Sequence, residues 1–132
     1  MHALVIDDSR AMRRIVSRIL TDLGFTTVEA GDGRAALDVL ESLEARGDAL
    51  PDLACVDWNM PVMDGLQFVG HVRSRREWRD LTMMMVTTES EHGQVVRALA
   101  AGAHEYMIKP FTADAFADKL ALLGLCSVGA RS

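Results

Sequence analysis

Several apolar runs in this chain end in residues of the types that metal-assisted phosphoryl chemistry needs. Asp7 and Asp8 follow Ala3 to Ile6, Asp57 follows Leu53 to Val56, Thr87 follows Leu81 to Val86, and Lys109 follows Glu105 to Ile108. Carboxylates gathered in one place repel and raise each other's pKa. A hard divalent cation relieves this, and Mg2+ takes about six oxygens, of which a protein supplies only a few. Asp8 and Asp57, with a backbone carbonyl such as that of Asn59, would leave room for water and a phosphoryl oxygen. Cys and His are absent from these run ends, which argues against zinc or iron. Lys109 and the Thr87 hydroxyl would then stabilise the other phosphoryl oxygens. Phosphoryl transfer asks mainly for positioning and charge neutralisation, and a carboxylate is a competent acceptor.

These residues can act together only if the runs that carry them lie side by side. A short apolar run ending in Asp57, then Pro61 and the Asp64-Gly65 turn, reads as a buried strand that delivers one acid to a sheet edge. Ala3 to Ile6 reads as a first strand. Met12, Ile15, Val16, Ile19, Leu20 and Leu23 then recur at helical spacing, with Ser9 as N-cap and Gly24 as C-cap. Arg10, Arg13, Arg14 and Arg18 fill the remaining positions and read as a solvated face. Thr26 to Ala30 is a second strand, which brings nothing polar of this kind to its end. Arg34 to Ala45 is a second helix with Ala36, Leu37, Leu40 and Leu43 inward.

A third helix carries Phe68, Val69 and Val72. The fourth strand, with three methionines as core filler, is followed by a helix marked by Val95, Val96 and Leu99 and closed by Gly102. A fifth strand and a last helix, capped by Thr112 with Phe116, Leu120 and Leu123 inward, complete the pattern. Strands alternating with helices predict an α/β domain whose parallel sheet is covered on both faces. In such sheets ligands sit outside the carboxyl ends of the strands, where all the residues above converge.

With 132 residues, 49% hydrophobic and 25% charged, the chain reads as one globular domain. The expected division is a domain over 1–124 and a short tail over 125–132. A net charge of -5 argues against a nucleic-acid surface. Cys55 and Cys126 form no CxxC pair, so neither a disulfide framework nor a zinc site is expected and a reducing cytoplasm fits. The sequence shows no leader and no apolar run near 18 residues, so neither secretion nor membrane insertion is expected.

Asp7-Asp8, Asp57 with Asn59-Met60-Pro61 and Asp64-Gly65, Val86-Thr87, and Lys109-Pro110-Phe111 resemble the response-regulator receiver domain. Met12 to Val16 and Asp57 to Pro61 are similar to the CheY-like single-domain chemotaxis regulators in particular. The resemblance spans residues 3 to about 123. It implies a doubly wound five-stranded sheet of order 2-1-3-4-5, for which CheY-like chains are themselves a standing example. It further implies that Asp57 is phosphorylated by a histidine kinase, with Mg2+ held by Asp7, Asp8, Asp57 and the Asn59 carbonyl, and that Lys109-Pro110 is cis. The expected product is a signalling switch, not an enzyme in its own right. Its expected output is altered protein binding on a face of the fourth helix, fifth strand and fifth helix, around Val95, Leu99, Tyr106 and Lys119. By the same likeness Tyr106 swings inward when Thr87 moves toward the phosphoryl group; plain core packing is its other reading.

The expected partners beyond the kinase are a flagellar motor switch protein and a phosphatase, with the regulator itself a monomer. A phosphorelay or another non-motor target is the alternative, because Ser90-Glu91-His92-Gly93 lacks the lysines common in motor-binding regulators. The connector Glu44 to Pro51 is also longer than in CheY-like chains. Asp8 is expected to touch the metal directly and Asp7 through water, and Asn59 and Glu89 to tune hydrolysis of the acyl phosphate. Two other classes fit less well. An aspartyl phosphatase of the haloacid-dehalogenase kind needs an acid two residues past its nucleophile, where this chain has Asn59. A flavodoxin-like flavin carrier needs a neutral phosphate loop where this chain has Asp7-Asp8.

Overall fold

The computed structural model describes residues 1–58, 60–88 and 92–125. Among these, five strands alternate with five helices: β1 (His2–Ile6), α1 (Arg10–Asp22), β2 (Thr26–Ala30), α2 (Gly33–Ala45), β3 (Leu53–Asp57), α3 (Gly65–Ser74), β4 (Thr82–Thr88), α4 (His92–Ala101), β5 (Glu105–Lys109) and α5 (Ala113–Leu122). A short 3-10 turn, Arg76–Trp78, precedes β4. The strands form one sheet of order β2-β1-β3-β4-β5 in which every neighbouring pair is parallel. This is the expected fold.

Side chains alternate across the pleat, so each central strand feeds two cores at once. Leu4, Ile6, Ala54, Val56, Met83 and Met85 pack against α2, α3 and α4. Ala3, Val5, Leu53, Cys55, Met84, Val86 and Met107 pack with Val16 and Leu20 of α1 and Phe116 and Leu120 of α5. Burial on both faces is why these strands read as unbroken apolar runs. Met83, Met84 and Met85 are all fully buried, as core filler should be.

Local chemistry sets the helix starts. Ser9 Oγ accepts from Met12 N, Asp32 from Ala35 N and Thr112 from Ala115 N, each satisfying an otherwise orphaned amide. Asp64 and Gln67 form a reciprocal capping box at α3. Asp64 thus has the structural role that an Asp-Gly turn suggests.

In several places the structure departs from the sequence reading; Ile15, counted with the apolar positions of α1, is exposed. In α4, Val96 is exposed, as is Leu99, which the expected output face already included; Ala98 is fully buried among the described side chains. Successive helical residues turn about 100°, so a helix that packs through Ala98 directs Val96 nearly the opposite way. The Val95 side chain lies outside the described set. In α1, Arg10, Arg14 and Arg18 are exposed as expected, but Arg13 is half-buried and bonded to Glu29 of β2 and to the Asp7 carbonyl just past β1. It leans over the sheet edge toward partners that local periodicity cannot reveal.

The lower part of the sheet is locked by Arg73. Its guanidinium group donates to the carbonyls of Gly102, Arg79 and Leu81 at 3.0, 3.1 and 3.0 Å. One of its nitrogens lies 3.1 Å from His104 Nδ1, which also accepts from Met83 N. Burial, and then the Arg73 charge, lowers the His104 pKa and favours the neutral ring. These bonds tie α3 and the turn before β5 to β4 and the segment that leads into it.

Candidate functional site

Parallel pairing brings the run ends to one edge. Ile6 lies opposite Val56, Asp57 opposite Val86, and Thr88 opposite Lys109. Asp7 and Asp8 follow β1 directly, Asp57 closes β3, and Lys109 closes β5. Asp7, Asp8 and Asp57 each offer a carboxylate oxygen, and these oxygens lie within 4.8 Å of one another. Lys109 Nζ is 3.2 Å from Asp57 Oδ1 and 3.6 Å from Asp7 Oδ2, so the ammonium is shared. Thr87 is buried, one residue past the partner of Asp57. The Lys109-Pro110 bond is cis.

The acids are not equivalent. Asp7 and Asp57 are buried, whereas Asp8 is exposed. Asp7 Oδ1 accepts from Ser9 N at 2.8 Å while Oδ2 faces Lys109, so both of its oxygens are engaged. Burial pushes the Asp57 carboxyl up to about 6, the Asp7 charge adds to this, and Lys109 opposes it. Asp7 is raised as well, chiefly by burial. Oxygen-only donors at this spacing, with more negative charge than one ammonium can offset, fit a hard cation such as Mg2+.

The raised carboxyl has a consequence for stability in chelator-treated protein. Well below pH 3.8, Asp57 is protonated in the folded and unfolded chains alike and costs nothing. Between the ordinary carboxylate value of 3.8 and about 6, the unfolded chain sheds its proton while the folded one retains it. Each step up in pH through this window therefore favours the unfolded state, and the loss is complete above it. Screening at the open edge reduces the penalty to about 1–2 kcal/mol. Asp57→Asn is expected to melt about 3–8 °C higher than wild type at pH 8, with the difference shrinking steadily as the pH falls through the window toward 3.8. Thermal melts in chelator across this range measure this.

Tyr106 is half-buried at the core margin, with Lys119 Nζ 4.8 Å from its ring centroid and 3.2 Å from Glu105 Oε1. It belongs to β5 and touches a residue of α5. Asn59 and Glu89 lie outside the described residues, so their expected roles are not addressed by this geometry. The sequence reading took Arg13 for part of a solvated face and passed over Glu29, and both lie near the site. Glu29 of β2 is a partner of Arg13, so the second strand does contribute, one contact removed. The available signal was an acid near the end of an edge strand, one helix away from a run of arginines.

The sequence pattern of the response regulator receiver domain matches residues 3–121. Chemotaxis protein CheY-3 of Vibrio cholerae serotype O1 is 41% identical over 121 residues, covering 91% of this chain and 88% of that protein. Chemotaxis protein CheY of Pseudomonas aeruginosa is also 41% identical over 121 residues, covering 91% of this chain and 93% of its own. The solved structure of Vibrio cholerae chemotaxis protein CheY4 is similar at a TM-score of 0.80 and 33% identity, covering 92% of this chain and 96% of that one. The matched residues run from β1 through β5 and into α5, and the chain belongs to the family of response regulator receiver domains.

Proposed function

We propose that the chain is a stand-alone chemotaxis response regulator in which Asp57 accepts a phosphoryl group from a histidine kinase in a Mg2+-dependent reaction. The observation that supports this best is the buried Asp57 carboxylate, bonded to Lys109 and grouped with Asp7 and Asp8. An Asp57 oxygen attacks the donor phosphorus, the bond from phosphorus to the donor breaks, and the leaving group takes a proton from solvent. Lys109, already aimed at Asp57, neutralises charge on the transferring oxygens. Asp7, Asp8 and Asp57 would hold the metal, which supplies further charge neutralisation when bound. Asp8, exposed at the open edge, suits direct ligation. Asp7 is already committed to Ser9 and Lys109, which suits a role through water.

In this reading residues 1–124 are the receiver unit and 125–132 a tail. The regulator works in the cytoplasm as a monomer and catalyses only its own phosphorylation and dephosphorylation. Among the described residues, no helix is long and apolar enough to cross a membrane. The output surface is the α4–β5–α5 face, where Val96 and Leu99 are exposed beside the Tyr106–Lys119 contact; a protein target such as a motor switch protein fits that chemistry. The reading is tested by incubating the protein with acetyl phosphate and measuring intact mass. A phosphoryl adduct is expected with Mg2+ and none with excess chelator. Equal adduct in both would overturn it.

Thr87 is the proposed link between site and surface. Moving a switch from 1:99 to 99:1 takes about 5.5 kcal/mol of differential interaction. A few charge-assisted hydrogen bonds to the phosphoryl oxygens supply that at about 1.5–3 kcal/mol each. Thr87→Ala is therefore expected to be phosphorylated yet to lose most of the response of α4, β5 and α5. Amide chemical shifts around Tyr106, with and without a phosphoryl mimic, report it. A full wild-type response in the variant would remove Thr87 from the pathway.

A further inference from the structure

We propose that Arg13 is a positioning residue for the acidic edge: it holds the Asp7–Asp8 peptide from behind, and Glu29 of β2 aims it. Arg13 Nη1 donates to the Asp7 carbonyl at 2.7 Å, a short, charge-assisted bond. Its Nε donates to Glu29 Oε1 at 3.2 Å, and the second Glu29 oxygen accepts from Ser17 Oγ at 3.3 Å. Arg13 and Ser17 are one helical turn apart on α1, so both grip the same carboxylate from one face. An ion pair as open as Arg13–Glu29 contributes little by itself. The consequence lies in what the other end of the guanidinium group holds.

The Asp7 amide makes the last bond to β2, to Ala30 O at 3.2 Å. Beyond that point the Asp7 carbonyl is taken up by Arg13 instead of by a strand. That carbonyl belongs to the peptide unit from which Asp8 springs. The exposed Asp8 carboxylate thus projects from a backbone fixed on one side by β2 and on the other by Arg13. Such fixing is needed because three like-charged oxygens within 4.8 Å drive one another apart.

The inference rests on the Mg2+ reading above, and the sign of the effect tests it. Arg13 carries positive charge beside a cation site, so by charge alone its removal would tighten Mg2+ binding. As a positioning residue its removal weakens binding. Titrating MgCl2 into the full chain by calorimetry, with Trp58 emission as a second signal, separates the two. Arg13→Gln is expected to raise the Mg2+ Kd about tenfold, as loss of a partner that orients a ligand does. Glu29→Ala should shift it in the same direction, and the double variant should be no weaker than Arg13→Gln alone, because both act through one contact. Arg13→Lys, which keeps the charge and one reach of donor, should restore part of the affinity. A Kd for Arg13→Gln within about twofold of wild type, or tighter, would overturn the proposal, whatever happens to the melting temperature. Asp8→Ala is the control for the underlying reading. If it leaves the Kd unchanged, the metal site itself is misplaced and the inference falls with it; if it weakens binding while Arg13→Gln does not, only the positioning role fails.

Discussion

Asp57→Asn is expected to take up no phosphoryl group from acetyl phosphate under conditions in which the wild type is labelled, a loss of at least about 100-fold or 2.7 kcal/mol in barrier. Asparagine nearly matches aspartate in shape and retains an oxygen for Lys109, so the packing at the end of β3 is retained. It removes the nucleophile. The neighbouring acids are poor substitutes for different reasons. Asp7 has one oxygen bonded to Ser9 N and the other facing Lys109. Asp8 is exposed, and no ion pair or hydrogen bond joins it to Lys109 among the described contacts. Intact mass followed by peptide mapping decides the matter: an adduct of equal yield on Asp7 or Asp8 in the variant would show that the edge has no single acceptor. The same substitution is expected to stabilise the chelated protein at pH 8, so loss of labelling cannot be mistaken for unfolding.

The second large effect is expected at Gly65, the first residue of α3. A Cβ there would lie 2.6 Å from the Asp57 carbonyl oxygen, 2.7 Å from Met85 Cε and 3.2 Å from Trp58 Cα. Met85 Cε is the tip of a flexible side chain and can swing away. The Asp57 carbonyl is backbone of the site strand and cannot move without moving the acid. Gly65→Ala is expected to cost about 3 kcal/mol, the upper end for overpacking a well-filled core, and to lower the melting temperature by about 10 °C. Displacing Asp57 by even part of an ångström should also slow phosphoryl uptake at saturating Mg2+ by up to about 100-fold. Gly70, on the same helix, is the contrast: it is exposed, and nothing lies within 4 Å of an added Cβ. Gly70→Ala is expected to gain up to about 1 kcal/mol from helix propensity. Thermal melts of the two variants side by side test whether contact at the strand end, and not glycine content, sets the cost. A Gly65→Ala protein as stable as wild type would show that α3 can retreat without strain.

The acidic edge was legible in the sequence because a parallel sheet writes itself plainly. Ala3 to Ile6 and Leu53 to Val56 are buried on both faces, so each is an unbroken apolar run, and the first polar residue after it marks the strand's carboxyl end. Alternating strands and helices then bring those ends to one side of the sheet, which gathers Asp7, Asp8, Asp57 and Lys109 without any knowledge of distance. Caps were equally readable, because Ser9 and Thr112 act on amides within three residues of themselves; Asp64, read only as part of an Asp-Gly turn, proves to be a third such cap. The strand order was another matter: alternation permits more than one order, and 2-1-3-4-5 came from likeness to a known family.

Contacts between residues distant in sequence had to wait for the structure. Four arginines on α1 looked alike to any periodic reading, yet only the fold turns Arg13 toward Glu29 and the Asp7 carbonyl while Arg10, Arg14 and Arg18 stay in solvent. Val96 read as an ordinary helix residue, and the packing of α4 through Ala98 leaves it outside. The sharing of Lys109 between Asp57 and Asp7, and the burial of Asp7 beside an exposed Asp8, are likewise tertiary facts. A sequence period specifies which face of an element is apolar, but not which neighbour that face meets. Neighbours are set by how helices settle on the twisted sheet, and this decided which charges face one another across the site.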